Sequence, residues 1–154
     1  MKIIITDLTR FQNPNIVCLA GIDPDTGRCI RPMLENGSRL DYFSFAVVKD
    51  HKIVPGSCLS GNFVAMTDAR APHVEDCRST GTVRIAESAT GNAFRSVLEM
   101  TACTTIRESF GAKPVNRLFP ISQPPAISIA TLKLDSPATQ FRLRKVCVMP
   151  RQVW

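Results

Sequence analysis

Little in this chain points to metal or cofactor chemistry. Its two histidines, His51 and His73, have no partner at metal-ligand spacing, and no C-x-x-C occurs. The six cysteines stand at 18, 29, 58, 77, 103 and 147, no two closer than 11 residues. Cys18, Cys29, Cys103 and Cys147 fall inside apolar runs or a helical face, where a free thiol behaves as a small hydrophobe, so reduced thiols are expected. One Trp and one Tyr beside 8 Phe argue against an extensive base-stacking platform. No apolar run approaches 18 residues, which excludes a membrane helix. The opening MKIIITD meets an acid too soon for a secretory leader, so a cytoplasmic protein is expected. No cofactor is expected.

What is present is the core of an ordinary domain. At 154 residues and 44% hydrophobic content, the chain has room for one domain, or one domain and part of another. Its organising stretch is residues 3–33. Ile3–Ile5 and Ile16–Ile22 read as buried strands around a polar loop at 10–15, with Gly21 breaking the side-chain pattern of the second. Asp23-Pro24-Asp25-Thr26-Gly27 has the chemistry of a type I turn closed by a glycine. Beyond it, Arg28 and Ile30 should point one way and Cys29 and Arg31 the other.

Residues 34–42 read as a polar loop, 43–48 as a short strand or buried loop, and 57–67 as one strand with a bend at Gly61. Residues 68–79 read as a polar loop and 83–85 as a short extended piece. Phe94, Val97, Leu98, Thr101 and Ala102 recur at i, i+3, i+4, predicting a helix near 92–110 in which Thr104–Phe110 is a continuation or a second helical turn, with Gly111 as its stop. Residues 112–125 hold four prolines and read as an extended connector. Residues 127–134 and 141–148 alternate with period two around an Asp-Ser-Pro turn and read as a β-hairpin.

The expected fold is mainly β with one or two helices. An OB-like small β-barrel would span 1–111, followed by the 112–125 connector. A C-terminal hairpin over 126–154 would belong to a partial second barrel. Two strands do not bury a core, so the hairpin either adds to the first sheet or is completed by a second copy, which favours a homodimer through the hairpin.

Charge is unevenly placed. The net charge is +6, and residues 91–154 hold 9 Lys+Arg against 3 Asp+Glu. A basic excess confined to one part of a domain suits phosphate binding; it also serves solubility alone. Arg10, Arg28, Arg31, Arg39, Arg142, Arg144 and Lys145 are the candidate phosphate contacts, and Tyr42 beside Phe43 the candidate stacking residue. A second constellation comprises His73, Glu75 and Asp76, with Asp7. In extended chain His73 and Glu75 face one way and Asp76 the other. The cluster therefore reads either as a metal-dependent hydrolytic site or as acids pairing with Arg28, Arg31 or Arg70 across the barrel mouth.

ITDLTRF, VCLAGID, TGRCIRPM, PGS with a following strand, APHVED and a helix ending ESFG occur in this order over residues 3–111, with weaker echoes in SIATLKL and FRLRK. In these motifs the chain resembles the dual OB-containing domain family of prokaryotes. The resemblance implies two OB-like barrels and nucleic-acid binding, in defence-type gene neighbourhoods, with no established catalytic activity. The chain departs from the family pattern after Lys145, where VCVMPRQVW does not continue a second barrel.

The leading expectation is thus a non-catalytic nucleic-acid-binding module that grips the phosphate backbone through a basic rim. The alternatives are a metal-dependent hydrolase or nuclease using His73, Glu75 and Asp76, and an interaction subunit whose hairpin docks a helicase or nuclease partner.

Overall fold

The computed structural model describes residues 1–36, 39–69, 73–113, 115, 119, 122 and 125–133, with backbone alone at 36, 39 and 40. Arg142, Arg144, Lys145, Arg70 and the second half of the expected hairpin lie outside the described residues.

The fold is mainly β, a strongly curled half-barrel sheet of OB-like form with three helices among the described residues. Its strands are β1 (Lys2–Arg10), β2 (Ile16–Ile22), β3 (Cys29–Asn36), β4 (Arg39–Asp41), β5 (Phe43–Ser44), β6 (Cys58–Ser60), β7 (Phe63–Ala65), β8 (Asp76–Ser79) and β9 (Arg84–Ala86). Their order is β7-β8-β3-β2-β1-β6-β9, with β4 on β3 and β5 on β2. β3 and β8 run parallel, pairing Arg31 with Asp76 and Pro32 with Cys77.

Period-two alternation explains the two faces. Ile3, Ile5, Val17, Leu19, Ile30, Leu59 and Phe63 point into the curl and form the main core; burying each large aliphatic side chain stabilises the fold by about 2 kcal/mol. Ile4, Ile22 and Cys58 point outward, under Val97, Phe94 and Leu98 of α2 (Gly91–Thr101). A bulge between Ile5 and Asp7 shifts the phase of β1. Leu8 therefore joins the core although Ile4 does not. Gly21 sits where β1 leaves no room for a side chain, since a Cβ there would lie 2.5 Å from the Ile4 carbonyl oxygen.

The 23–27 turn forms as expected. The Asp23 carboxylate accepts from the Asp25 N–H at 3.0 Å and from the Thr26 hydroxyl at 2.8 Å, and Gly27 takes φ +70°. This turn sets Ile22 opposite Cys29 and delivers Ile30 to the core, with Cys29 and Arg31 on the outer face.

Several expectations are corrected. Residues 34–42 are not a loop, because β3 continues to Asn36 and β4 pairs back on it. Residues 43–48 are β5 followed by a helix, α1 (Phe45–Asp50), begun where the Ser44 hydroxyl accepts from the Val47 N–H. The single strand at 57–67 is two strands split at Gly61–Asn62. Residues 76–79 are strand β8, whose pairing with β3 overrides a polar local composition. The helix near 92–110 is α2 and then α3 (Ile106–Phe110), separated by β10 (Ala102–Cys103) and restarted by the Thr105 cap; Gly111, at φ +64°, ends α3. Of the predicted strand at 127–134, the described part forms only β11 (Thr131–Leu132), parallel to β10. The preceding residues return onto the first unit, Ala126 donating to the Phe110 carbonyl.

Cys18, Cys29, Cys58, Cys77 and Cys103 are free thiols. Among the described residues no helix is long and apolar enough to cross a membrane.

Candidate functional site

The arginines expected on one rim fall on two faces of the sheet. β1 carries Arg10 at its end, on the core side past the bulge, where the guanidinium lies 4.4 Å from the centroid of the Phe45 ring. A Phe is attractive to such a cation because of its negative π face. Arg10, Leu8, Val17 and Phe45 line a groove of about 340 Å³ together with Lys49 from α1 and Lys52 from the turn after it. None of the three cations has an acidic partner among the described residues. Beside Arg10 in the chain, Phe11 is 37% exposed and packs against Tyr42 with the rings tilted by 46°, centroids 4.4 Å apart. Phe43, the other aromatic considered for stacking, is instead a core residue at 3% exposure, because it pairs with Val17 across β5 and β2.

Lys52 has φ +51°. An L side chain in this left-handed region costs roughly 1–2 kcal/mol that glycine avoids. The turn after α1 requires this conformation, as the Lys52 N–H returns to the Lys49 carbonyl and the Ile53 N–H to the Val48 carbonyl. A lysine is thus held where glycine fits the backbone better, and its cation lines the groove. Strain of this kind is a pointer to function.

Arg28 and Arg31 lie on the other face; Arg28 does not follow Ile30 as the alternation predicts, because it precedes β3 and lines the same outer pocket as Cys29. Arg28 is exposed at the edge of the turn. Arg31 is an internal tie: its Nε donates to Asp76 Oδ1, and its Nη2 meets His73 Nδ1 at 2.8 Å. Of the two sequence readings of the acidic cluster, this is the pairing across the barrel mouth. The bonds to Asp76, and the negative charge there, hold the Arg31 guanidinium above its usual pKa against the opposing effect of burial. Glu75 turns away from that pair and buries its side chain against Ser128. Asp7 is exposed past the bulge, accepting from the Thr6 hydroxyl at 3.0 Å. Among the described residues, no three His, Cys, Asp or Glu side chains converge as a metal site would need. Of Arg39 the structure describes only the backbone, in β4.

The neighbouring thiols are not poised as nucleophiles. Burial, then the charges of Glu75 and Asp7, push the Cys29 thiol up to about 12, and burial likewise raises Cys18 and Cys77. A thiol attacks as its thiolate, so these remain inert near neutrality.

The sequence names Arg10 and Tyr42 separately, with Tyr42 beside Phe43 and Arg39, and gives no weight to Phe11, Phe45, Lys49 or Lys52, which the structure places around them. The available signal was Ser44 before FAVVKD, a helix cap that sets Phe45 and Lys49 four residues apart on one helical face. No sequence signal marks Lys52, whose backbone conformation is imposed by the turn. Comparison of the chain with protein-family models, curated proteins and solved structures finds no match.

Proposed function

We propose that this protein is a non-catalytic module that binds single-stranded nucleic acid at the Arg10 groove. Arg10, Lys49 and Lys52 contact successive phosphates, and the Phe11–Tyr42 pair offers a face for a base. The observation that carries the reading is the grouping around one groove of three cations that have no acidic partner among the described residues, beside an aromatic pair, on an OB-like sheet. A positive groove that tracks the backbone, with aromatics on which bases stack, is the general solution for strands bound without sequence preference. The net charge of +6 favours approach of a polyanion. The resemblance of residues 3–111 to the dual OB-containing domain family supports the same reading.

This proposal moves the contact surface from the rim first expected. Arg31 is left out because its guanidinium is engaged by Asp76 and His73. The hydrolase alternative loses two of its three residues to that same arginine. Nothing among the described residues favours the helicase or nuclease partner or the homodimer, both of which rest on the hairpin over 126–154. Oligonucleotide binding by the full chain and its groove variants, measured as a function of salt, tests the proposal.

A further inference from the structure

Apart from Arg10, Lys49 and Lys52, every residue lining the Arg10 groove is apolar. None of its side chains therefore accepts a hydrogen bond, since Arg and Lys only donate and the aliphatic and Phe side chains do neither. The backbone carbonyls on the α1 side are already engaged. Val48 accepts from the Ile53 N–H at 2.9 Å, Lys49 from the Lys52 N–H at 3.1 Å and Val54 from the Ser57 N–H at 2.9 Å. Of the apolar lining, Val17, Val48 and Ile53 are buried, and Leu8 and Phe45 are half-buried. Val54, 53% exposed, is the apolar side chain that a ligand meets most fully.

This lining sets a chemical requirement. A group that enters the groove must bring acceptors for the cations and apolar surface for the floor. A donor that enters finds no acceptor side chain, and an unpaired donor removed from water is costly. At about 340 Å³ the groove is at the small end of ligand pockets, with room for one base and not for a stacked run. Phosphates supply acceptors alone. Among the bases, cytosine and adenine carry an exocyclic amino donor on their exposed edge, and guanine offers acceptors with no apolar group beside them. Thymine presents a carbonyl oxygen next to a C5-methyl. Uracil has the same carbonyl but lacks the methyl.

We propose that the Arg10 groove seats one unpaired thymine, with its C5-methyl against Val54 and Phe45 and its O4 towards the cations at the rim. This inference rests on nucleic-acid binding at the groove and adds which base, and hence which kind of strand, the groove prefers: single-stranded DNA carrying thymine over strands carrying uracil or cytosine.

The test is fluorescence anisotropy of the full chain with labelled oligo-dT, oligo-dU and oligo-dC of about 12 nucleotides, at roughly 50 mM salt. Oligo-dT and oligo-dU share a backbone and differ by the methyl alone. Oligo-dT should bind about fourfold more tightly than oligo-dU, the worth of one buried methyl, and oligo-dC should bind most weakly. Val54→Asn, at an exposed position, puts an amide where the methyl would rest and should remove most of the difference between oligo-dT and oligo-dU. Equal affinity of the wild type for oligo-dT and oligo-dU overturns the thymine assignment. If alanine at Arg10, Lys49 and Lys52 still weakens binding in that case, the groove reading stands; if it does not, both fail. Tightest binding of oligo-dC, or a preference for oligo-dT that Val54→Asn leaves unchanged, also overturns the assignment. Binding of none of the three overturns the groove reading and this inference with it.

Discussion

Arg31 and Asp76 sit opposite each other on the parallel strands β3 and β8, and the Arg31 guanidinium joins them while also holding His73 Nδ1 at 2.8 Å. Their side chains are 12% and 18% exposed. Removing one partner leaves the other charge poorly solvated, so Arg31→Ala should destabilise the fold by about 2–4 kcal/mol, near the range for breaking a buried pair. Urea denaturation of Arg31→Ala, Asp76→Ala and the double variant measures this. The double variant should be less destabilised than the sum of the singles. At conditions where it is folded, Arg31→Ala should bind oligonucleotide as the wild type does.

At Lys52, stability and binding should move in opposite directions. Lys52→Gly relieves the positive φ and is expected to raise unfolding stability by up to about 1 kcal/mol. It also removes one groove cation and should weaken oligonucleotide binding at low salt. Denaturation and binding on the same sample check both effects, and a Lys52→Gly protein that is less stable than wild type would contradict the reading of strain.

Gly21→Ala should be among the most damaging single substitutions. The added methyl would lie 2.5 Å from the Ile4 carbonyl oxygen and 2.6 Å from Ile3 Cγ2, and both belong to β1, the strand paired with β2. Neither can withdraw without disturbing the β1–β2 ladder, so a cost of about 2–3 kcal/mol is expected, as for overpacked core sites. Thermal unfolding reads it directly.

Cys29 provides the pH dependence. Its folded-state pKa is pushed up from 9.0 to about 12, so above pH 9 the unfolded chain loses this proton while the native chain keeps it. The native state then binds more protons, and stability should fall as pH rises from 9 towards 12. Raised thiol pKa values at Cys18 and Cys77 act in the same direction. Cys29→Ala should flatten the alkaline limb of a stability profile, and in the wild type iodoacetamide should modify Cys29 far more slowly than a free thiol at pH 8.

The fold was legible in the sequence wherever local pattern and tertiary demand agree. Ile3–Ile5, Ile16–Ile22, the Asp23–Gly27 turn and the Phe94–Val97–Leu98 face each carry their own local signal, and each forms in the structure. The differences have two causes, a partner distant in sequence in one case and a local helix cap in the other. Asp76–Ser79 looks like a loop until β3 supplies a parallel neighbour, and Phe45–Asp50 looks like a strand until the Ser44 cap starts a helix. The expected rim failed to assemble for a related reason. The bulge after Ile5 and the strict alternation in β3 send Arg10 and Arg31 to opposite faces, and a list of arginines does not carry that information. Glu75 neighbours Asp76 in sequence but not in bonding, since Arg31 engages His73 and Asp76 while Glu75 accepts from Ser128.

Salt dependence of oligonucleotide binding is the most direct measure of the groove's role. Three phosphate contacts on a single strand should give a slope of log K against log salt of about −2 or steeper, so affinity falls by roughly twentyfold between 50 and 200 mM salt. Replacing Arg10, Lys49 and Lys52 together by alanine should weaken binding at low salt and make that slope shallower by about 2. A triple variant that keeps the wild-type affinity and slope, or a wild type with no measurable binding at low salt, would contradict the assignment of the Arg10 groove.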